Sequence, residues 1–213
     1  MNFLAVVFVI ACLFLPLNHQ TSEPAQSEIN EFTRVERMGD PNSRSFFPFE
    51  TSVRHYIVRN DGWGETYNSL GRKKFYLLLG FPGRLERLYF LESQGDLFVL
   101  YEVRDEKSGW GYVERFNQRT LKMMWLTPIN GSNIGNGIVE GTAAFITAGG
   151  LIARLDLRTG KIAWQTDVTY ISGELPAGVS ITNNSLVVKN SNGTIVELEK
   201  QTGNVLSSSK QKQ

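Results

Sequence analysis

The chain has 213 residues, 41% of them hydrophobic and 20% charged, a balance that suits one globular domain with a core of ordinary size. Twenty-two Lys and Arg face 21 Asp and Glu, for a formal net charge of +1. Near-neutrality removes any global electrostatic reason to expect nucleic acid or an anionic membrane surface as partner.

The chain opens on an uncharged apolar run, "MNFLAVVFVIACLFLPL", which is shorter than the roughly 20 residues a spanning helix needs. A polar stretch, "NHQTSEPAQSE", follows. Residues 1–20 are therefore read as a signal peptide or an N-terminal anchor, and the protein as secreted, periplasmic or membrane-anchored, facing outside the cytoplasm. No Lys or Arg precedes the run and no small-x-small cleavage site ends it, which keeps a membrane tether through the N-terminus as the alternative. The one cysteine, Cys12, lies within the run, and the "VIA" before it resembles the lipobox of bacterial lipoproteins. Beyond the run there is no cysteine, which excludes a disulfide, thiol catalysis and a thiolate metal site there.

Residues 21–50 are polar, mixed in charge and rich in breakers ("GDPNSRS"), and are read as a linker ending in the aromatic cluster "FFPFE". "SEINEFTRVERM" is the only helical pattern in the chain. From residue 51 to 213 short runs rich in β-branched and aromatic residues alternate with Gly, Asn and Asp turns: "RHYIVR", "DLFVLYEV", "AAFITA", "LIARLDL", "SLVVKN", "TIVELE". Tight dipeptides separate several of them, "GG" at 149–150, "TG" at 159–160 and "NG" at 192–193, and supply the positive φ that hairpins need. The pattern predicts an all-β domain of short antiparallel strands.

The units repeat. "DLRTGKIAW" ends at Trp164, and 39 residues earlier "FNQRTLKMMW" ends at Trp125, so that Thr120 matches Thr159 and Lys122 matches Lys161. Downstream, "LEKQTGNVLSS" repeats the turn at Thr202 and Gly203 without the tryptophan. A weaker echo, "NSLGRKKF", has Phe75 at the tryptophan position. Such intervals suit one four-stranded unit per repeat, and units that cannot bury their own faces must stack.

These residues resemble the repeat of the pyrroloquinoline-quinone-like β-propeller superfamily, in which an apolar strand leads through Asp and a Thr-Gly turn to Trp. The full pattern stands at 151–164, with partial copies at 112–125 and 194–207. The resemblance implies an all-β, β-propeller-like array of about four four-stranded antiparallel blades. Members of the family usually close rings of seven or eight, so the expectation here is a small ring, an open arc, or an arc completed by a second copy as a homo-oligomer. The superfamily contains quinoprotein alcohol dehydrogenases and also non-enzymatic members, among them the propeller lipoprotein of the outer-membrane β-barrel assembly machinery.

Within this frame Lys161 is a solvated turn residue: the phosphate-loop spacing fails, because Leu155 and Ile162 stand where Gly and Ser or Thr are required. Asp156 is expected to accept backbone amides of the Thr159-Gly160 turn, and Trp125 and Trp164 to pack between blades. "NGSNIGNGIVEG", 130–141, is rich in the residues of an anion-binding nest, but no helix follows it and the expectation is an inter-blade loop. His55 is the one histidine outside the leader region, where His19 lies, which removes multi-histidine metal sites. The quinoprotein enzymes carry vicinal cysteines, which this chain lacks, so no cofactor is expected. Trp110, on an extended hairpin, and Phe46, Phe47 and Phe49 are the candidates for contact with a partner. The sequence thus points to a non-catalytic, exported protein-binding or scaffolding module of the cell envelope, with a protein or peptide partner. The alternative is a quinone-related redox accessory or a degenerate quinoprotein-like enzyme.

Overall fold

The computed structural model describes residues 28–40, 44–69, 71–77, 83–169 and 176–210. The apolar leader, with Cys12 and His19, lies outside them. Nineteen strands form four antiparallel sheets among the described residues. Four consecutive strands make each blade. Blade 1 holds β4 (Ser45–Glu50), β5 (His55–Arg59), β6 (Trp63–Asn68) and β7 (Gly71–Tyr76). Blade 2 holds β8 (Arg84–Ser93), β9 (Asp96–Arg104), β10 (Gly109–Asn117) and β11 (Met123–Ile129). Blade 3 holds β12 (Ile134–Glu140), β13 (Ala143–Ala148), β14 (Leu151–Asp156) and β15 (Lys161–Asp167). Blade 4 holds β16 (Pro176–Ile181), β17 (Ser185–Asn190), β18 (Thr194–Glu199) and β19 (Val205–Lys210).

Strand periodicity explains how the blades stack. A strand between two neighbours must be apolar on both faces, and β9, "DLFVLYEVR", is buried from Leu97 to Val103. Its odd positions, Leu97, Val99, Tyr101 and Val103, meet Phe47, Tyr56 and Val58 of blade 1. Its even positions, Phe98 and Leu100, meet Ile146, Ala153 and Leu155 of blade 3. A third core, with Phe145 and Ile152 of blade 3 against Leu186, Val188, Val196 and Leu198, joins blades 3 and 4. Each fully buried side chain of this kind contributes about 1.5–3 kcal/mol. None of the hydrophobic cores joins blade 4 to blade 1 among the described residues, so the array is an arc with two end faces.

The stretch read as a linker corrects the sequence reading. Residues 29–39 form three short strands, β1 (Ile29–Glu31), β2 (Thr33–Val35) and β3 (Met38–Gly39), and the "FFPFE" cluster lies in β4. Each short strand adds a fifth member to a blade: β1 pairs with β12, β2 with β8 and β3 with β4, all antiparallel and along the innermost edge. The helical pattern misled because its apolar residues stand three apart. Phe32 enters the core between blades 2 and 3, and Val35 the core between blades 1 and 2, so one anchor per groove mimics one anchor per helical turn.

Candidate functional site

The repeat turns come first, because they set the blades against one another. In blade 3 the Asp156 carboxylate accepts the amides of Arg158 (2.8 Å) and Thr159 (3.2 Å), while the Gly160 amide donates to the Asp156 carbonyl (2.8 Å). Leu121 repeats the last bond on Asn117 (2.8 Å) and Gly203 repeats it on Glu199 (2.9 Å). All three turn residues are left-handed, Leu121 at φ 60°, Gly160 at 73° and Gly203 at 74°. Glycine fits there for two reasons. Its φ is unstrained, and a Cβ on Gly160 would lie 2.6 Å from the Trp125 ring, as one on Gly203 would lie 2.6 Å from the Trp164 ring. Each tryptophan therefore lies flat on the turn glycine of the next blade. Trp164 Nε1 also donates to the Lys200 carbonyl at 3.1 Å.

Sequence reasoning missed two participants in this contact. Two residues after each tryptophan stands a threonine, Thr127 and Thr166, and each hydroxyl donates to the carbonyl of the glycine that the tryptophan covers, Gly160 and Gly203. The repeated "WLT" and "WQT" carried that signal. A bulge before each tryptophan, at Met124 and Ala163, turns the ring toward the next blade. Thr120, Thr202 and Lys161 are exposed on these turns. The Thr159 hydroxyl accepts the Lys161 amide at 3.3 Å, a turn contact that leaves the lysine in solvent.

At the inner edges the arc encloses a cleft of about 620 Å³, walled by Arg87 and Tyr89 of blade 2, residues 133–138 and 147–150 of blade 3, Gly178 and Val179 of blade 4, and Glu31 and Arg34 of the N-terminal segment. The glycine- and asparagine-rich stretch is thus both an inter-blade loop and a cleft wall. Beneath it the Glu102 carboxylate is wholly buried. It accepts Arg104 Nη2 at 2.9 Å and the Ile134 amide at 3.2 Å, and Arg87 Nη1 lies 3.5 Å away. Arg87 and the Tyr89 hydroxyl both donate to the Ile134 carbonyl, at 3.2 and 3.1 Å. Burial pushes the Tyr89 hydroxyl upward in pKa, so it remains a neutral donor near pH 7. The wall of the cleft thus carries charges of both signs, with Arg87 beside the buried Glu102 and Arg34 and Glu31 on the N-terminal segment.

This radial meander of blades, docked tryptophan onto turn around a central cleft, is decisive. Among the described residues the fold is an open, four-bladed β-propeller. The chain matches no protein-family model and no curated protein. Among solved structures it is similar to a europium-containing methanol dehydrogenase (15% identity, TM-score 0.43), where the match covers 56% of this chain and 24% of that one. It is also similar to BamB from Moraxella catarrhalis (10% identity, TM-score 0.38, 84% and 73% covered) and to the Neurospora crassa Pan2 WD40 domain (11% identity, TM-score 0.43, 84% and 50% covered). The propeller spans about a quarter of the first of these chains.

The candidate partner residues divide. Phe47 and Phe49 are 1% and 9% exposed, in the core between blades 1 and 2, which corrects their reading as contact residues. Alternation in β4 sends Phe46 to the opposite face, where it is 36% exposed. There it joins Ile57, Tyr67 and Tyr76, which are 37%, 42% and 55% exposed. His55 stacks on Tyr67 at 4.9 Å with its Nδ1 3.2 Å from Glu50, and Lys74 Nζ lies 5.4 Å from the centre of the Trp63 ring. Trp110, on the hairpin of blade 2, is exposed and belongs to neither group. No group of three or more metal-ligating side chains occurs among the described residues.

Proposed function

We propose that this propeller is a non-catalytic, exported protein that binds a protein or peptide partner as a scaffolding module of the cell envelope. The observation that carries the reading is the outer face of blade 1. An end blade whose face carries Phe46, Ile57, Tyr67 and Tyr76 exposes amphipathic aromatic area of the kind that anchors protein interfaces. The interspersed Arg59, Glu65, Arg72 and Lys74 supply a polar surround suited to a reversible contact.

The test is affinity capture from the native envelope with the full chain and, in parallel, with the Ile57→Lys, Tyr76→Lys double variant. A protein retained by the first and lost with the second supports the reading. Equal retention by both, or none by either, removes it. Fractionation of the native cell tests the location in the same preparation. Added quinone and calcium, followed by absorbance and thermal shift, test the redox alternative, for which no binding is the expected result.

A further inference from the structure

Blades 2, 3 and 4 share one register at the turn end of their middle strands. The residue that opens the second strand stands opposite the one that ends the third: Asp96 with Asn117, Ala143 with Asp156, Ser185 with Glu199. Two residues before that end, on the same face, come Arg115, Arg154 and Glu197. In blade 2 Arg115 Nε donates to Asp96 Oδ2 at 2.9 Å, Nη2 donates to the same oxygen, and Nη1 donates to the Arg158 carbonyl of blade 3. In blade 4 the Ser185 hydroxyl donates to Glu197 at 2.6 Å. In blade 3 the opening residue is Ala143, which offers Arg154 no acceptor.

The pair is therefore half made in blade 3. Ala153 and Leu155 face blade 2, so Arg154 between them faces blade 4, opposite Phe145 on β13 and Trp164 on β15. Its Nε–H is buried and has no hydrogen-bond partner, an unfavourable state that calls for an acceptor. Among the described residues no carboxylate lies within ion-pair distance of Arg154 or of the exposed Lys161. Beside Ala143 is a cavity of about 480 Å³, lined by Thr142, Ala143, Arg154, Asp156, Arg158 and Lys161. The acids around it are already engaged. Asp156 accepts two turn amides and has Arg158 Nη2 at 4.0 Å. Glu140, opposite Ala143, has both oxygens 2.9 Å from Lys200 Nζ. Arg154 and Lys161 are the uncompensated charges of this wall.

We infer that this cavity binds a small oxyanion, a dicarboxylate or a phosphate, in the place that Asp96 occupies against Arg115. A guanidinium takes the oxygens of either group in the same forked geometry, so the chemistry is shared. Arg154 meets one end of the ligand through Nε and a terminal nitrogen. Lys161, a point charge on a flexible stem at the rim, meets the second negative charge. The site is on blade 3, and its test does not depend on the contact face of blade 1.

The probes are succinate and inorganic phosphate, titrated separately into the full chain at low ionic strength and followed by calorimetry and by the Arg154 Nε–H resonance. The expected result is one-to-one binding of at least one of them, weakened by added salt, with that resonance displaced. The tighter of the two tells a carboxylate site from a phosphate site. Arg154→Gln weakens binding at least about tenfold. Ala143→Asp restores the pair of blade 2 and should abolish binding while the chain melts no lower than the parent, which separates an occupied site from a damaged one. Lys122→Gln, at the equivalent of Lys161 on the blade 2 turn, leaves the affinity unchanged. No binding of either anion overturns the site. So does an Ala143→Asp variant that binds as the parent does, even if Arg154→Gln fails to fold.

Discussion

The first and last blades have the same architecture and different surfaces: aromatic rings crowd the outer face of one and are missing from that of the other. On blade 1 the outer face carries Phe46, Ile57, Trp63, Tyr67 and Tyr76 among charged residues, held by stacking and by Lys74 over Trp63. On blade 4 the equivalent face carries no aromatic ring: Glu197 bridges the Ser185 hydroxyl (2.6 Å) and the Ser207 hydroxyl (3.2 Å) beside the half-buried Val187 and Ile195, and β19 is exposed along its length, Val205 and Leu206 included. Register shows why the two differ. Ser207 stands opposite Glu197 as Trp164 stands opposite Arg154 and Trp125 opposite Arg115, after the same bulge. Blade 4 keeps the backbone of a docking blade and lacks the ring that would dock.

The largest test of that difference is to exchange the key residue. Trp164→Ala removes a ring that covers Gly203 and should cost about 3 kcal/mol in urea unfolding, by lost burial and an unfilled space. Ser207→Trp, at the equivalent position, should change stability by no more than about 0.5 kcal/mol, because no turn receives it. A comparable gain from Ser207→Trp would mean that another surface covers blade 4.

Gly160→Ala should be nearly as damaging, about 2–3 kcal/mol, since it adds left-handed strain to a Cβ contact 2.6 Å from Trp125. The same unfolding curve measures it. Gly141→Ala, in a turn with φ 59° where a Cβ meets nothing within 4 Å, separates the two causes and should cost only the strain, about 1 kcal/mol.

Much of this was legible in the sequence, for a physical reason. The Thr-Gly turn is a local structure with a steric demand, so its residues repeat visibly and reveal both blade spacing and docking. The turn at Thr120-Leu121 shows the limit of that signal: the left-handed geometry persists with a leucine, and only Trp125 downstream betrays the repeat. The inner-edge strands were hidden because their partners are far away in sequence and their pairing is through backbone, which leaves no residue signature. Phe47 and Phe49 were misassigned because "FFPFE" read as a cluster, when strand alternation divides it between core and surface. The charged wall of the cleft had no local motif either: Arg87, Glu102 and Ile134 meet only when blades 2 and 3 pack.

On blade 1 itself, the Ile57→Lys, Tyr76→Lys variant used above should unfold within about 2 kcal/mol of the parent, the loss of the Trp63–Tyr76 ring contact and of the half-covered Ile57 side chain. A larger loss would show that this face packs on something in the free protein, and the contrast between the ends would need redrawing.

The smallest effect separates the two ends by pH. Glu92, at the seam of blades 1 and 2, is partly buried, which alone would raise its pKa. Hydrogen bonds from the Ser52 hydroxyl and amide and from Gln118 Nε2 outweigh burial and hold it below the ordinary 4.5. The unfolded chain therefore takes up this proton first on acidification. The contribution of Glu92 is fully present above about pH 4.5 and is lost as the pH falls through its lower folded-state pKa. At the seam of blades 3 and 4 the corresponding polar contact is Lys200 with Glu140, Nζ 2.9 Å from both oxygens. Acid should accordingly loosen the Ser52 turn and β4–β5 first, seen as amide exchange that speeds up more there than in β17–β18 as the pH falls below 4.5. Glu92→Gln keeps the shape, removes the titration and should flatten that difference. Unchanged acid sensitivity in the variant would place the cause elsewhere in the seam.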